Sequence, residues 1–274
     1  MWQVLGGRRR ARGAVSAGGF TLIELMCVLL ILVALAGIVV PKMSNYIQKA
    51  HSGAAASNIS TLMSVVETYR ANHLFQGYPD YFDSLDDPTS GTVWAGVPSA
   101  AAVCLTPLQL DAQMANAMNS AGLNNVMNSN TLVISPSGGG NNATFDLPTS
   151  SVALTTGTYV MQISNAAGSA GLAALQLNVP NFDPVNYNYV LLGLGDSCKI
   201  VGSDIDQAPV HFDTIDPSIY YQHYGVVFAV PVTGGKYDSL KTGTQATMAT
   251  VVGIHDGGLS GLRDHLTEYN MTNQ

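Results

Sequence analysis

The strongest constraint on this chain is an apolar run of 21 residues, Phe20 to Val40, which only Thr21 and Glu24 interrupt. At about 1.5 Å per residue, a helix of this length covers about 30 Å, the hydrocarbon thickness of a bilayer. Four arginines and no acidic residue precede the run, at positions 8–10 and 12. Because basic flanks remain in the cytoplasm, the pattern predicts that the rest of the chain crosses the membrane or is exported.

Glu24 is the residue that an ordinary membrane anchor would avoid, since a carboxylate at membrane depth costs about 3 kcal/mol. Three fates of the segment are open: cleavage by general signal peptidase near the small-x-small sequence at 34–36, no cleavage, or cleavage between Gly19 and Phe20. The first two leave the acid unexplained, unless its carboxylate simply snorkels to the nearby interface.

The sequence GFTLIEL at residues 19–25, placed after a basic leader, resembles the processing motif of type IV pilins and type II secretion pseudopilins. The resemblance implies that a prepilin peptidase cuts after Gly19 and methylates the new amino terminus at Phe20. It also implies that Glu24 pairs with the Phe20 amine of a neighbouring subunit. Pro41 stands where many such pilins carry a helix-kinking proline.

The resemblance covers about residues 8–75, and residues 78–274 carry no family resemblance. It implies a structural subunit, not an enzyme, that is a single-pass protein of the inner membrane before assembly. An inner-membrane assembly platform would then assemble this subunit, together with further copies of the same chain or with other subunits, into a pilus-like filament in the periplasm or on the cell surface. A type II secretion pseudopilin is an alternative within the family. A membrane-anchored binding or adhesive protein that never polymerises is an alternative from another class.

The expected fold is α+β and pilin-like: a long N-terminal helix, protruding in its apolar first half, and an antiparallel sheet packed on its second half. The expected parts are a removed leader at 1–19, a transmembrane or filament-core helix at 20–40, an amphipathic continuation at 41–76 and a mostly β head at 77–274. Apolar residues recur beyond Pro41 with a period of about 3.6. Gly77 marks the expected end of the helix.

Within the head, Thr106 and Pro107 predict the cap and first turn of a short helix that ends near Ser120. Leu259 to Tyr269 predict a terminal helix. β-branched and apolar runs between turn residues predict strands. The predicted strands are 131–135, 158–164, 172–179, 187–194, 226–232 and 247–254.

Cys104 and Cys198 are predicted to form a disulfide if the head is exported, with two free buried thiols as the alternative. No cofactor is expected, although an aspartate-rich stretch is a weak calcium candidate. Its candidate ligands are Asp204, Asp206, Asp213 and Asp216.

The histidines of the head are dispersed along the sequence, at positions 211, 223, 255 and 265, and residues 255–258 resemble a turn rather than a catalytic dyad. No motif of a hydrolase or zinc protease is present. Removal of the leader would move the formal net charge from −7 to −11, and the remainder holds no basic patch that predicts nucleic-acid binding.

Overall fold

The computed structural model describes residue 19 and residues 21–73, 77–131, 134–136, 143–145, 148–211, 220–237 and 248–271. The chain divides into two units, residues 1–47 and 48–274. Helix α1, Leu22–Asn72, contributes its first half to the first unit and its second half to the second. The predicted leader, Phe20, and the calcium candidates Asp213 and Asp216 lie outside the described residues.

The first unit consists, where it is described, of the apolar part of α1. All of its described side chains from Leu22 to Ile47 are exposed. Among the described residues, α1 is the helix that is long and apolar enough to cross a membrane. The backbone is helical at Pro41, and the kink expected there stays a prediction.

The second unit is a mixed α+β structure. Its described helices are the second half of α1, α2 (Ser99–Ala102), α3 (Ala112–Ser120), α4 (Ala170–Asn178) and α5 (Leu262–Met271). Its described strands are β1 (Phe82–Asp83), β2 (Leu105–Gln109), β3 (Asn125–Met127), β4 (Ile134–Pro136), β5 (Ala143–Phe145), β6 (Ser151–Ala153), β7 (Tyr159–Ile163), β8 (Tyr187–Gly193), β9 (Gly225–Pro231) and β10 (Thr250–His255).

Strand β8 is the centre of the main sheet. One edge of β8 pairs with β9, which pairs in turn with β10. The other edge meets β7 near Val190 and β1 near Gly193, so that the sheet divides into a β7–β2 branch and a β1–β3–β6 branch. The pairs are antiparallel except for β1 with β3, a parallel pair that the expected antiparallel sheet did not include.

Both faces of the sheet are buried at β8 and β9, and alternate residues of these two strands divide between two apolar cores. One core contains Val190 and Phe228 together with the α1 residues Leu62, Val66 and Tyr69. The opposite core contains Tyr189, Leu191, Val227 and Ala229, with Leu175 of α4 and Trp94. Burial on both faces explains why the β9 sequence, GVVFAVP, is continuously apolar rather than alternating.

A bulge in β10 sets the orientation of the residues at the end of that strand. The register with β9 shifts between Val251 and Gly253. The extra residue allows Val251 and Ile254, three positions apart, to face the same core, which contains the α1 side chains. The strand then ends at His255, and a turn carries the chain to α5.

The predicted disulfide is wrong: Cys104 and Cys198 are both free thiols. Cys198 belongs to the core that contains the α1 side chains, and Cys104 belongs to the core on the other face of the sheet. A buried sheet therefore separates the two sulfur atoms, which a disulfide would need to hold about 2 Å apart. Burial raises the pKa of the Cys198 thiol to about 12.

Two predicted elements need correction. The helix expected from Thr106 begins instead at Ala112, because the Asp111 carboxylate accepts a hydrogen bond from the Met114 amide at 2.9 Å and caps it. Residues 105–109 form β2, which pairs with β7. The strand predicted at 172–179 is helix α4, capped by Ser169. The other helix and strand predictions in the described head are confirmed, with ends shifted by a few residues, except that residues 129–131 form a 3₁₀ turn before β4.

Counting the free thiols tests whether Cys104 and Cys198 are unpaired. Denatured protein that has never been reduced should react with a maleimide at Cys27, Cys104 and Cys198, because the sheet keeps the last two thiols apart. Intact-mass spectrometry would count the adducts. Recovery of only the Cys27 adduct without prior reduction, and of all three after reduction, would contradict the placement of the two cores.

Candidate functional site

The first candidate site is the start of α1, where Thr21 and Glu24 bond to each other. Oε2 of Glu24 accepts hydrogen bonds from the Thr21 amide at 2.8 Å and from the Thr21 hydroxyl at 2.9 Å. The Thr21 Oγ1 in turn accepts a hydrogen bond from the Glu24 amide at 3.3 Å. This reciprocal pair is a capping box, which satisfies two backbone amides that a helix start leaves unpaired.

The capping box gives Glu24 a local role that the sequence analysis missed. Its signal was present in the sequence, because a threonine followed three positions later by a glutamate is the pattern of such a box. The predicted cleavage residue Gly19 is exposed, with open space around the position that a Cβ would take. Phe20, the residue between Gly19 and the box, lies outside the described residues.

The second candidate site is a group of three buried side chains in the second unit: His211, Asp256 and His265. Nε2 of His265 lies 3.0 Å from Oδ2 of Asp256, and Nε2 of His211 lies 3.6 Å from the same oxygen. One ligand atom from each residue lies within 4.8 Å of the other two. The imidazole rings meet edge to face, with centroids 5.4 Å apart.

The turn after β10 fixes the direction of the Asp256 carboxylate. Its Oδ1 accepts hydrogen bonds from the Gly258 amide at 2.9 Å and the Ser260 amide at 2.8 Å. The turn is closed by a hydrogen bond from the Leu259 amide to the Asp256 carbonyl, with Leu259 at a positive φ of 66°. Because the turn amides hold Oδ1, Oδ2 is left to face the two imidazoles.

The two histidines come from different segments. The His211 amide donates to the Gln222 carbonyl at 3.0 Å, beside the β-bridge between Val210 and His223. His265 lies in the first turn of α5, and its amide bonds to the Gly261 carbonyl at 3.2 Å. Sequence reasoning missed this group because its members are separated by 45 and 9 residues (256 − 211 and 265 − 256) and share no motif.

Helix α5 also joins the site to the second half of α1. The Glu268 carboxylate accepts a hydrogen bond from the Gln48 side-chain amide at 2.6 Å and another from the Ser52 hydroxyl at 2.7 Å. The ammonium group of Lys49 lies 4.7 Å from the centre of the Tyr269 ring. The helix that carries His265 therefore also packs on residues 48–52 of α1.

The carboxylates around His265 favour its charged form. Burial lowers the pKa of His265, but the hydrogen bond that His265 donates to Asp256 and the charges of Asp256, Glu268 and Asp264 together outweigh burial. The pKa of His265 is therefore raised above its usual value. Two neighbouring histidines of the same region, His223 and His255, have lowered pKa values, because burial dominates there.

The aspartates that the sequence analysis singled out for calcium are not grouped as a site in the described part of the chain. Asp204 and Asp206 are exposed, and Asp204 accepts a hydrogen bond from the neighbouring Ser203 hydroxyl at 2.9 Å. The structure brings together, instead, two of the dispersed histidines with an aspartate that sequence reasoning assigned to a turn. Asp256 is in that turn and also faces the histidines.

Two further acids are buried at the start of the head, outside either candidate site. Asp83 accepts a hydrogen bond from the Tyr221 hydroxyl at 2.7 Å through Oδ2. Asp86 has no exposed surface, and neither carboxylate oxygen has a hydrogen-bond partner among the described residues. Burial raises the pKa of Asp83 to about 7 and that of Asp86 to about 8. Both side chains therefore favour the neutral acid at conditions where an exposed aspartate is charged.

Comparison of this chain with protein-family profiles, with curated proteins and with solved structures gives no match in any of the three.

The buried acids predict that the head loses stability as the pH rises. The unfolded chain releases the Asp86 proton near pH 4, whereas the folded chain holds it to about pH 8. The stabilising contribution is therefore complete below pH 4 and is lost as the pH rises through 8. Asp86→Asn removes this pH-dependent contribution to stability, because asparagine does not titrate. Between pH 5 and pH 9, the melting temperature of the variant relative to wild type should rise by at least about 5 °C.

Circular dichroism melts of the full chain in detergent at several pH values would measure this difference. Asp204→Asn, at an exposed position, is the matched control and should follow the wild-type profile. A difference between Asp86→Asn and wild type that stays constant across this pH range would contradict the raised pKa of Asp86.

Proposed function

We propose that this chain is a structural subunit of an extracytoplasmic, type IV pilus-like filament, made as a precursor and cut after Gly19. Its apolar helix spans the membrane until an inner-membrane platform assembles the filament. Prepilin peptidase and other subunits, copies of this chain among them, are its partners. The resemblance at residues 19–25 and the character of the first unit support the proposal.

One observation carries the proposal: a single carboxylate stands at the start of a helix whose described side chains are otherwise apolar and exposed through Val40. Apolar side chains on this scale must be covered by lipid or by other helices. Lipid alone would favour a segment without Glu24. Neighbouring helices in a filament core can use it, because a partner's amino terminus provides the opposite charge.

The capping box is compatible with this use of the carboxylate. The hydrogen bonds that Thr21 donates both reach Oε2, which leaves the second oxygen of Glu24 to face an ammonium group. Local hydrogen bonds partly compensate the carboxylate while the helix is stored in lipid. In the filament, a charge pair between subunits would set the axial offset of neighbouring helices, the use for which buried ion pairs are best attested.

The filament proposal predicts where the amino terminus of the exported protein lies. If a prepilin peptidase processes the chain, mass spectrometry should find a mature protein that begins at N-methylated Phe20. An amino terminus at Gly37, or an intact Met1, would contradict the filament proposal and would favour an ordinary exported or anchored protein. Gly19→Val should block the cut and leave the precursor in the membrane.

Two variants separate the effect of the Glu24 charge on assembly from its effect on the capping of α1. Glu24→Gln keeps a side-chain oxygen that can accept from Thr21, since glutamine also serves in a capping box, but removes the charge. Thr21→Val removes the hydroxyl and keeps the charge. Both variants should be cut after Gly19. Glu24→Gln should reduce the yield of filaments at least about tenfold, as the loss of about 1.4 kcal/mol per contact would do.

Thr21→Val is the matched control and should assemble within about twofold of wild type, because one exposed cap contributes about 1 kcal/mol to the helix start alone and its loss leaves the Glu24 charge in place. Filaments sheared from cells and quantified by immunoblot would give the yields. Normal assembly of Glu24→Gln together with failure of Thr21→Val would show that Glu24 acts through the helix start alone.

A further inference from the structure

The group His211, Asp256 and His265 has the chemistry of a metal site. Neutral imidazole nitrogens and a carboxylate oxygen are the ligands that zinc takes in three-ligand protein sites. Ligands about 2.0 to 2.1 Å from a tetrahedral ion are about 3.4 Å from one another. The separations from Asp256 Oδ2, 3.0 Å to His265 and 3.6 Å to His211, lie on either side of that value.

The 3.6 Å separation is informative, because it is too long for a direct hydrogen bond. His211 nevertheless points its Nε2 towards the oxygen that His265 already contacts, and all three side chains are buried. Two imidazole nitrogens therefore approach one carboxylate oxygen at separations close to those of ligands around a shared ion. The turn amides that hold Oδ1 provide the outer support that metal-ligating carboxylates usually have.

We infer that His211, Asp256 and His265 bind a divalent transition-metal ion, with zinc as the best fit. Calcium and magnesium prefer sites made of oxygen ligands, and two of the three ligands here are nitrogen. One carboxylate, that of Asp256, would contact the ion directly. Two more, Asp264 and Glu268, lie on the same helix as His265 and would favour a cation.

The position of the ligands indicates what a bound ion would do to the packing of the head. They come from three segments: the chain beside the Val210–His223 bridge, the turn after β10, and α5. A bound ion would fasten α5 to that turn. Because Glu268 of α5 holds Gln48 and Ser52, the ion would also stabilise the contact between α5 and the second half of α1. The inference concerns the head alone and does not depend on filament assembly.

The test uses the full chain in detergent, without a polyhistidine tag, stripped with a chelator and then dialysed. Isothermal titration with zinc chloride should give one ion per chain, and cobalt chloride should give visible absorption bands of a tetrahedral complex. His265→Gln and Asp256→Asn should each weaken zinc binding by more than about 100-fold, since even lost outer-shell hydrogen bonds cost about 10- to 100-fold.

His51→Gln is the matched control, because His51 is exposed and lies outside the group. It should bind zinc as wild type does. Zinc should also raise the melting temperature of the stripped wild type by several degrees, whereas calcium should not, a measurement that requires no variant to fold. Absence of binding to the stripped wild type at about 100 µM zinc, or equal losses in His265→Gln and His51→Gln, would overturn the inference.

Discussion

The structure of the head depends on the burial of β8 and β9 from both sides. Their alternate side chains enter two cores, and neither core can close without helices over it. Side chains of the second half of α1 complete one core, and α4, with the segment around Trp94, completes the other. Residues 48–72 of α1 are therefore an integral part of the head. The described side chains at 22–47 remain exposed, and the described residues of their own unit provide no comparable partner.

The two cores also explain which parts of the fold the sequence could predict. Strands β7 to β10 and the long helix were predictable, because long apolar runs and a 3.6-residue period are strong local signals. Helix α4 was mistaken for a strand because a short apolar run fits either element. The deciding feature was local: Ser169 accepts a hydrogen bond from the Leu172 amide at 3.0 Å and starts a helix there. Asp111 has the same effect for α3, and it overrides the weaker signal from Thr106 and Pro107.

The candidate sites differ in how far the sequence could predict them. The start of α1 is local, so that the positions of Gly19, Thr21 and Glu24 along the chain already define their arrangement. The His211 group depends on the pairing of β9 with β10, on the bulge after Val251 and on the turn that aims Asp256. Nothing in the spacing of these residues reveals that arrangement. The disulfide prediction failed for the same reason, since only the sheet shows that Cys104 and Cys198 face opposite cores.

The contact between α5 and α1 connects the histidine–aspartate group to the packing of α1 in the head. Glu268 receives two short hydrogen bonds from α1, and the same helix carries His265 one turn earlier. A typical hydrogen bond contributes only about 1 kcal/mol to stability, so that these two bonds alone would hold α5 weakly. The buried hydrogen bond between His265 and Asp256 also resists a movement of α5, because it ties this helix to the turn after β10. The proposed function requires the second half of α1 to stay in the head when the first half leaves the membrane, and α5 is one of the elements that hold it there.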